Sequence, residues 1–242
     1  MAGPLNALQL TGREATHLVE LPCGNRLQAE AAAAFARLQA DAREAGFALC
    51  IASSFRSYQR QRAIWEGKAG GTRPVYDDAG RQVEMAGLPA AEQLRAILRY
   101  SAIPGTSRHH WGTDLDVYDA AAMPPGYQLQ LSPQEVAPGG LFDALHCWLD
   151  ERMAANRSHG FYRPYGRDRG GVAPERWHLS FAPLALDCAG RLTPELMRAC
   201  WQCAPGEEPL ALVDEIEADL PAIVARYIAV PPQWCPAGLA RP

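Results

Sequence analysis

The chain has 242 residues, 48% of them hydrophobic, and its charged side chains give a formal net charge of −4. Those values exclude a disordered chain and a peptide-sized disulfide scaffold, and they leave no basic excess for a nucleic-acid surface. At roughly 150 residues per domain, one elaborated domain or two small ones fit. The 21 glycines and 20 prolines mean that much of the chain must be turn and loop. No run approaches the ~18 apolar residues that cross a bilayer. Met1 to Ala15 show neither a basic start nor an apolar stretch, so no ordinary signal peptide is visible. A cytoplasmic location is the expectation, with the periplasm or cell envelope as the alternative. Seven scattered cysteines make an odd count that suits reduced thiols. Cys200 and Cys203 form a lone C-x-x-C, with Cys188 as a third candidate partner, and two cysteines on one helical face is the favoured reading.

In chain order, Leu27, Ala31, Phe35, Leu38 and Ala42 recur at helical spacing, and Gly46 supplies a stop, so 27–44 reads as an amphipathic helix. Phe47 to Ala52 is a short apolar run that reads as a buried strand. Ser57 is positioned to cap a helix ending near Lys68. Residues 69–89, with mixed charge and several glycines, read as a long exposed loop, and Ala90 to Arg99 as a third helix. Leu115 and Val117 alternate with Asp114, Asp116 and Tyr118, which predicts a half-buried strand. A helix over 141–156 follows, with Leu145, Trp148, Leu149 and Met153 on one side. Arg163 to Ala173 reads as loop, and Trp177, Leu179 and Phe181 as a further strand. Thr193-Pro194 opens a tail helix, and a second spans about 210–230 with Pro221 dividing it. Helices mixed with strands, without regular βα alternation, indicate an α+β fold.

Three polar clusters lie beside strand ends: Ser53 to Gln61, Ser107 to Asp116, and Glu175 to His178. A catalytic zinc needs three nitrogen or oxygen ligands and one open position. His109 in a turn and a carboxylate along the next strand could converge there, because Gly112 lets the chain bend. By spacing, Asp114 and Asp116 share a strand face and either could serve. His178 could complete the set from a distant strand. Glu175 follows Pro174 at the strand entrance, where it could turn back beside bound water as a general base without being a ligand. Taken singly, these histidines read as ordinary hydrogen-bonded residues, and Arg56 as a surface cation. His17, His146 and His159 read as surface or helix residues.

Taken together and in order, the three stretches resemble the motif set of the LAS zinc peptidases, particularly the VanY-type D-alanyl-D-alanine carboxypeptidases. That set is S-G-Y-R-S-x-x-x-Q, then S-x-H-x-x-G-x-A-x-D, then E-x-W-H. Here Ser54 replaces the usual glycine, Phe55 the tyrosine, and Asp114 the alanine, which places an extra carboxylate near the metal position. The resemblance implies a small antiparallel sheet flanked by helices, the LAS/Hedgehog-like metallopeptidase fold, over 1–190, with a helical extension over 191–242. It implies His109, Asp116 and His178 as ligands of one catalytic Zn2+, Glu175 as base, and Arg56 as the cation facing the oxyanion. It also implies Gln61 and Ser107 as substrate-holding residues, and Trp177 as pocket lining or core anchor. The expected substrate is a peptidoglycan stem peptide or muropeptide ending in D-Ala-D-Ala. A D,D-dipeptidase, a wall endopeptidase and a non-catalytic zinc-bearing wall-binding module are the alternatives. Oligomeric state is left open.

Overall fold

The computed structural model describes residues 3–202 and 208–235. A short helix α1 (Ala7–Leu10), capped by Asn6, precedes a two-stranded ribbon of β1 (Val19–Glu20) and β2 (Arg26–Leu27). Helix α2 (Ala29–Glu44) follows, and it buries Ala31, Phe35, Leu38 and Ala42 along the stripe that its periodicity predicts. Gly46, at a φ of +91°, ends it, and the Phe47 amide returns to the Ala42 carbonyl. The chain then enters β3 (Leu49–Ser53) and α3 (Tyr58–Ala69), where the Ser57 hydroxyl accepts from the Arg60 amide at 3.2 Å. After the long loop come α4 (Ala90–Leu98), a 3-10 turn at Arg108–Trp111, and β4 (Asp114–Asp119). Next are α5 (Pro133–Val136), α6 (Asp143–Ala154), β5 (Phe161–Tyr162) and β6 (His178–Phe181). The C-terminal part adds α7 (Ala182–Arg191), α8 (Pro194–Trp201), α9 (Val213–Ala218) and α10 (Leu220–Ile223).

Four strands form one antiparallel sheet in the order β3-β4-β6-β5. One face packs on α2 and α6 through Phe35, Leu38, Leu115, Val117, Leu145, Leu149, Phe161 and Leu179. Burying each such side chain contributes about 1.5–3 kcal/mol. A second apolar cluster joins Tyr58 and Trp65 of α3, Ile97 of α4 and Trp111 to Met197, Trp201, Ile216 and Leu220 of the tail. Two indoles hold that cluster to the backbone: Trp65 donates to the Ala211 carbonyl at 2.9 Å and Trp201 to that of Pro104 at 2.8 Å.

The structure differs from the sequence reading in particular places. Strand β4 is not half-buried: Leu115 and Val117 enter the apolar core, while Asp114 and Asp116 on the opposite face are covered as well. It is an interior strand between β3 and β6, and its polar face lies under the loops that carry the other conspicuous residues. Helix α7 was not anticipated, because it begins directly on the end of β6 with no intervening turn signal. The tail segment expected as one divided helix is α9, then α10 running into a π-helical turn over Val224–Ile228, with the break at Asp219 just before Pro221. His146 is on a helix as expected but fully buried, whereas His159 pairs with Asp41 in a turn. Cys188 and Cys200 are free thiols, and Cys203 lies outside the described residues.

Candidate active site

The residues of the middle cluster are placed by one tight turn. After the 3-10 turn at Arg108–Trp111, Gly112 takes a left-handed φ of +68°. A Cβ there would overlap the Leu18 side chain, so glycine is required by both backbone conformation and space. The turn aims His109 inward. Its Nδ1 lies 2.9 Å from the Ser54 carbonyl, which can only accept, so Nδ1 carries the proton and the Nε2 lone pair faces the site.

Strand register supplies the next two groups. Asp116 of β4 is paired directly with His178 of β6, so the two side chains emerge side by side. A bulge between Ile51 and Ser53 of β3 brings Ser53 opposite Asp116, which carries the following Arg56 to the same place. His109 Nε2 is 3.4 Å from Asp116 Oδ2, and His178 Nδ1 is 3.2 Å from Asp116 Oδ1. The three potential ligand atoms lie within 4.8 Å of one another, and all three residues are buried. Asp116 Oδ1 is sequestered from solvent without a well-aligned hydrogen bond. A buried carboxylate whose two oxygens face His109 Nε2 and His178 Nδ1, one of them in that state, fits a divalent cation in chemistry and in donor number.

Glu175 stands beside this cluster, its Oε2 3.6 Å from His178 Nδ1. Burial pushes its carboxyl up to about 7, with Asp116 adding to the rise, while His178, Arg56 and Lys68 oppose it. Burial also works against a charged His178, but Asp114 and Asp116 outweigh it and raise the ring to about 9. Asp116 is held well below the usual carboxylate range, because His109 and His178 overcome its burial.

Arg56 is fixed by its own neighbours: Nη1 donates to Gln61 Oε1 at 2.9 Å and Nη2 to Ser53 Oγ at 3.2 Å. Burial lowers its affinity for a proton, and the nearby Asp116 and Glu175 counter that. Gln61, expected to hold substrate, is fully buried and spends both ends internally, on Arg56 and on the Ala102 carbonyl at 2.6 Å. Its contact with Arg56 makes it an orienting group. Ser107 and Trp177 both line the cavity, and Trp177 also packs with Val136 and Phe142. His110 turns away from the cluster: it lies 2.6 Å from the Arg56 carbonyl through Nδ1 and accepts from the Gly105 amide through Nε2.

Spacing alone left Asp114 as an alternative ligand, and the structure places it behind His178 instead. Its carboxylate receives Arg108 Nε at 2.8 Å, Thr113 Oγ1 at 2.6 Å and His178 Nε2 at 2.9 Å. Because Asp114 takes the proton-bearing Nε2 of His178, Nδ1 is the nitrogen turned toward Asp116 that could bind a cation on giving up its proton. The cluster opens into a cavity of about 1070 Å³, whose walls include Tyr127 and Leu131 of the 119–140 segment, Tyr165, and Tyr227 and Ile228 of the tail. Among the described residues, no helix is long and apolar enough to cross a membrane.

A mixed scaffold that gathers two imidazoles and a carboxylate around one point, with a glutamate alongside, is the arrangement of a hydrolytic metal centre. The chain belongs to the VanY D-alanyl-D-alanine carboxypeptidase family, whose family model matches residues 24–184. Two uncharacterized proteins of Haemophilus influenzae are relatives. One is 44% identical over 98 residues, 39% of this chain and 67% of that protein, and the other 36% identical over 129 residues, 52% and 92%. Similar solved structures include a vancomycin-resistance D,D-pentapeptidase VanY variant in complex with Zn(II), at 23% identity and a TM-score of 0.49 over 72% of this chain and 84% of that one. VanYB in complex with D-alanine-D-alanine is also similar, at 20% identity and a TM-score of 0.48 over 84% and 88%.

Proposed function

We propose that this chain is a zinc-dependent carboxypeptidase that removes the terminal D-Ala from peptidoglycan stem peptides ending in D-Ala-D-Ala. The observation that supports this reading is the convergence of His109, Asp116 and His178 ligand atoms within 4.8 Å, beside Glu175 and in a cavity large enough for a peptide end. His109 through Nε2, Asp116 through its carboxylate and His178 through Nδ1 would hold the ion. Zinc, when bound, supplies Lewis acidity strong enough to bring water from a pKa of ~15.7 to ~7.

The chain's own residues supply the rest. Glu175 accepts a proton from the attacking water on its carboxylate and delivers it to the leaving amine. Its buried position raises the carboxyl's proton affinity, which suits a group that must take up a proton and then deliver it. The Arg56 guanidinium, fixed by Gln61 and Ser53, faces the carbonyl oxygen as negative charge develops there. That contact strengthens toward the transition state, so it lowers the barrier rather than only tightening binding.

Incubation of the zinc-loaded protein with a defined muropeptide, read by mass spectrometry, tests the reading. Loss of one alanine is expected. Release of a dipeptide, internal cleavage or an unchanged substrate would replace it with a dipeptidase, an endopeptidase or a binding module respectively. Arg56→Ala should lower kcat by roughly 100- to 1000-fold. Glu175→Gln should keep the metal and lose turnover, and loss of metal instead would make Glu175 a ligand.

A further inference from the structure

The cavity holds a second cation that the chemistry above does not use. Lys68 lies seven residues after Gln61 on α3, about two helical turns, and therefore on the same face. It lines the cavity together with Arg56, Ser101, Ser107 and Glu175. Its Nζ donates to the Ser101 hydroxyl at 2.6 Å. An ammonium has three donors, and among the described residues no carboxylate lies within ion-pair distance of it. Arg56, held by Gln61 and Ser53, is the other cavity cation without an ion pair among the described residues, whereas Arg108 is paired with Asp114 and Arg163 with Asp150.

We infer that Lys68 recognises the free C-terminal carboxylate of the substrate and so restricts the site to chain ends. The inference rests on the peptidase reading and adds the group that selects the substrate. A half-buried ammonium costs free energy until an anion meets it. Burial depresses the proton affinity of Lys68, and Glu175 and Arg56 are the charges that act on it most. Lys68 lines the same cavity as the base Glu175 and the oxyanion cation Arg56. In a peptide end, the scissile carbonyl and the terminal carboxylate are one residue apart, about 3.8 Å between successive Cα atoms. Arg56 and Lys68 line the same cavity, so one cation can face the developing oxyanion while the other meets the fixed carboxylate. An internal peptide bond would instead set a neutral amide against Lys68 and leave its half-buried charge without an anion.

The test compares two stem peptides of one sequence ending in D-Ala-D-Ala, one a free acid and one a C-terminal amide, on the zinc-loaded full chain. The amide should show a kcat/KM roughly 10- to 100-fold lower. Lys68→Met should collapse that ratio, chiefly by raising KM for the acid, and Lys68→Arg should restore most of it. Calorimetric binding of the same two peptides to the Glu175→Gln protein gives a readout independent of turnover, and the acid should bind more tightly only while Lys68 is present. Equal handling of acid and amide by the unaltered chain overturns the inference whatever the variants do, as does a Lys68→Met protein that still prefers the acid. Hydrolysis of neither peptide would count against the peptidase reading alone. A Lys68-dependent preference for the acid in binding would still uphold the carboxylate assignment.

Discussion

Asp114 touches none of the three candidate ligand atoms directly but holds the ring that carries one of them. Its carboxylate is shared between Arg108, which neutralises it, and His178, whose Nε2 it holds. Burial opposes its charge, but Arg108 and His178 hold it well below the usual carboxylate range. Asp114→Asn keeps the volume but weakens the grip on His178, and should reduce zinc affinity by about 10- to 100-fold in competition with a chelating dye. Unchanged affinity would show that strand pairing alone orients the ring. Asp114→Ala goes further, because it leaves the Arg108 guanidinium buried with no counter-charge. That should cost about 3–5 kcal/mol of folding stability, measured by denaturant unfolding.

The site is assembled by three elements, and each was legible to a different degree. The cap at Ser57, the stripe on α2 and the stop at Gly46 are local signals, and the structure follows them closely. The turn ending at Gly112 was also readable, because only glycine bends the chain so sharply. Gly112→Ala should destabilise the fold by more than about 1 kcal/mol, seen as a lowered denaturation midpoint at constant slope. What the sequence did not carry is pairing between distant segments. The choice of Asp116 over Asp114 came only with the family resemblance. The structural reason is the β4–β6 register, which sets Asp116 beside His178 Nδ1 and Asp114 against its Nε2. The inward use of Gln61 was hidden for the same reason, since Ala102 and Arg56 reach it from outside its own helix. Lys68, seven residues further along α3, read only as a helix end.

At the scale of the whole molecule, folding has sealed several histidines in their neutral forms. Burial lowers both His110 and His146 to about 3, from an ordinary value of 6.5. Above pH 6.5 neither the folded nor the unfolded chain protonates them, and their contribution to stability is complete. As the pH falls below 6.5, the unfolded chain takes up these protons and the folded chain does not. Stability is then lost at up to about 1.4 kcal/mol per pH unit for each ring, down toward pH 3. Glu175, raised to about 7, acts in the opposite direction over part of this window, one group against two. The melting temperature should therefore fall between pH 6.5 and 4.5. His146→Leu should flatten the slope, because neither ring nitrogen of His146 has a hydrogen-bond partner to lose.

The same enclosure defines what the centre can bind. Its donors are nitrogen and oxygen, drawn from a turn and two paired strands, while the free thiols Cys188 and Cys200 belong to the apolar cluster with the tail helices. X-ray absorption spectroscopy of the zinc-loaded chain addresses this directly. The account predicts one zinc per chain with two imidazole nitrogens and a carboxylate oxygen at about 2.0–2.2 Å, and no sulfur at ~2.3 Å. A shell containing sulfur, or a chain that retains no zinc at all, would contradict it.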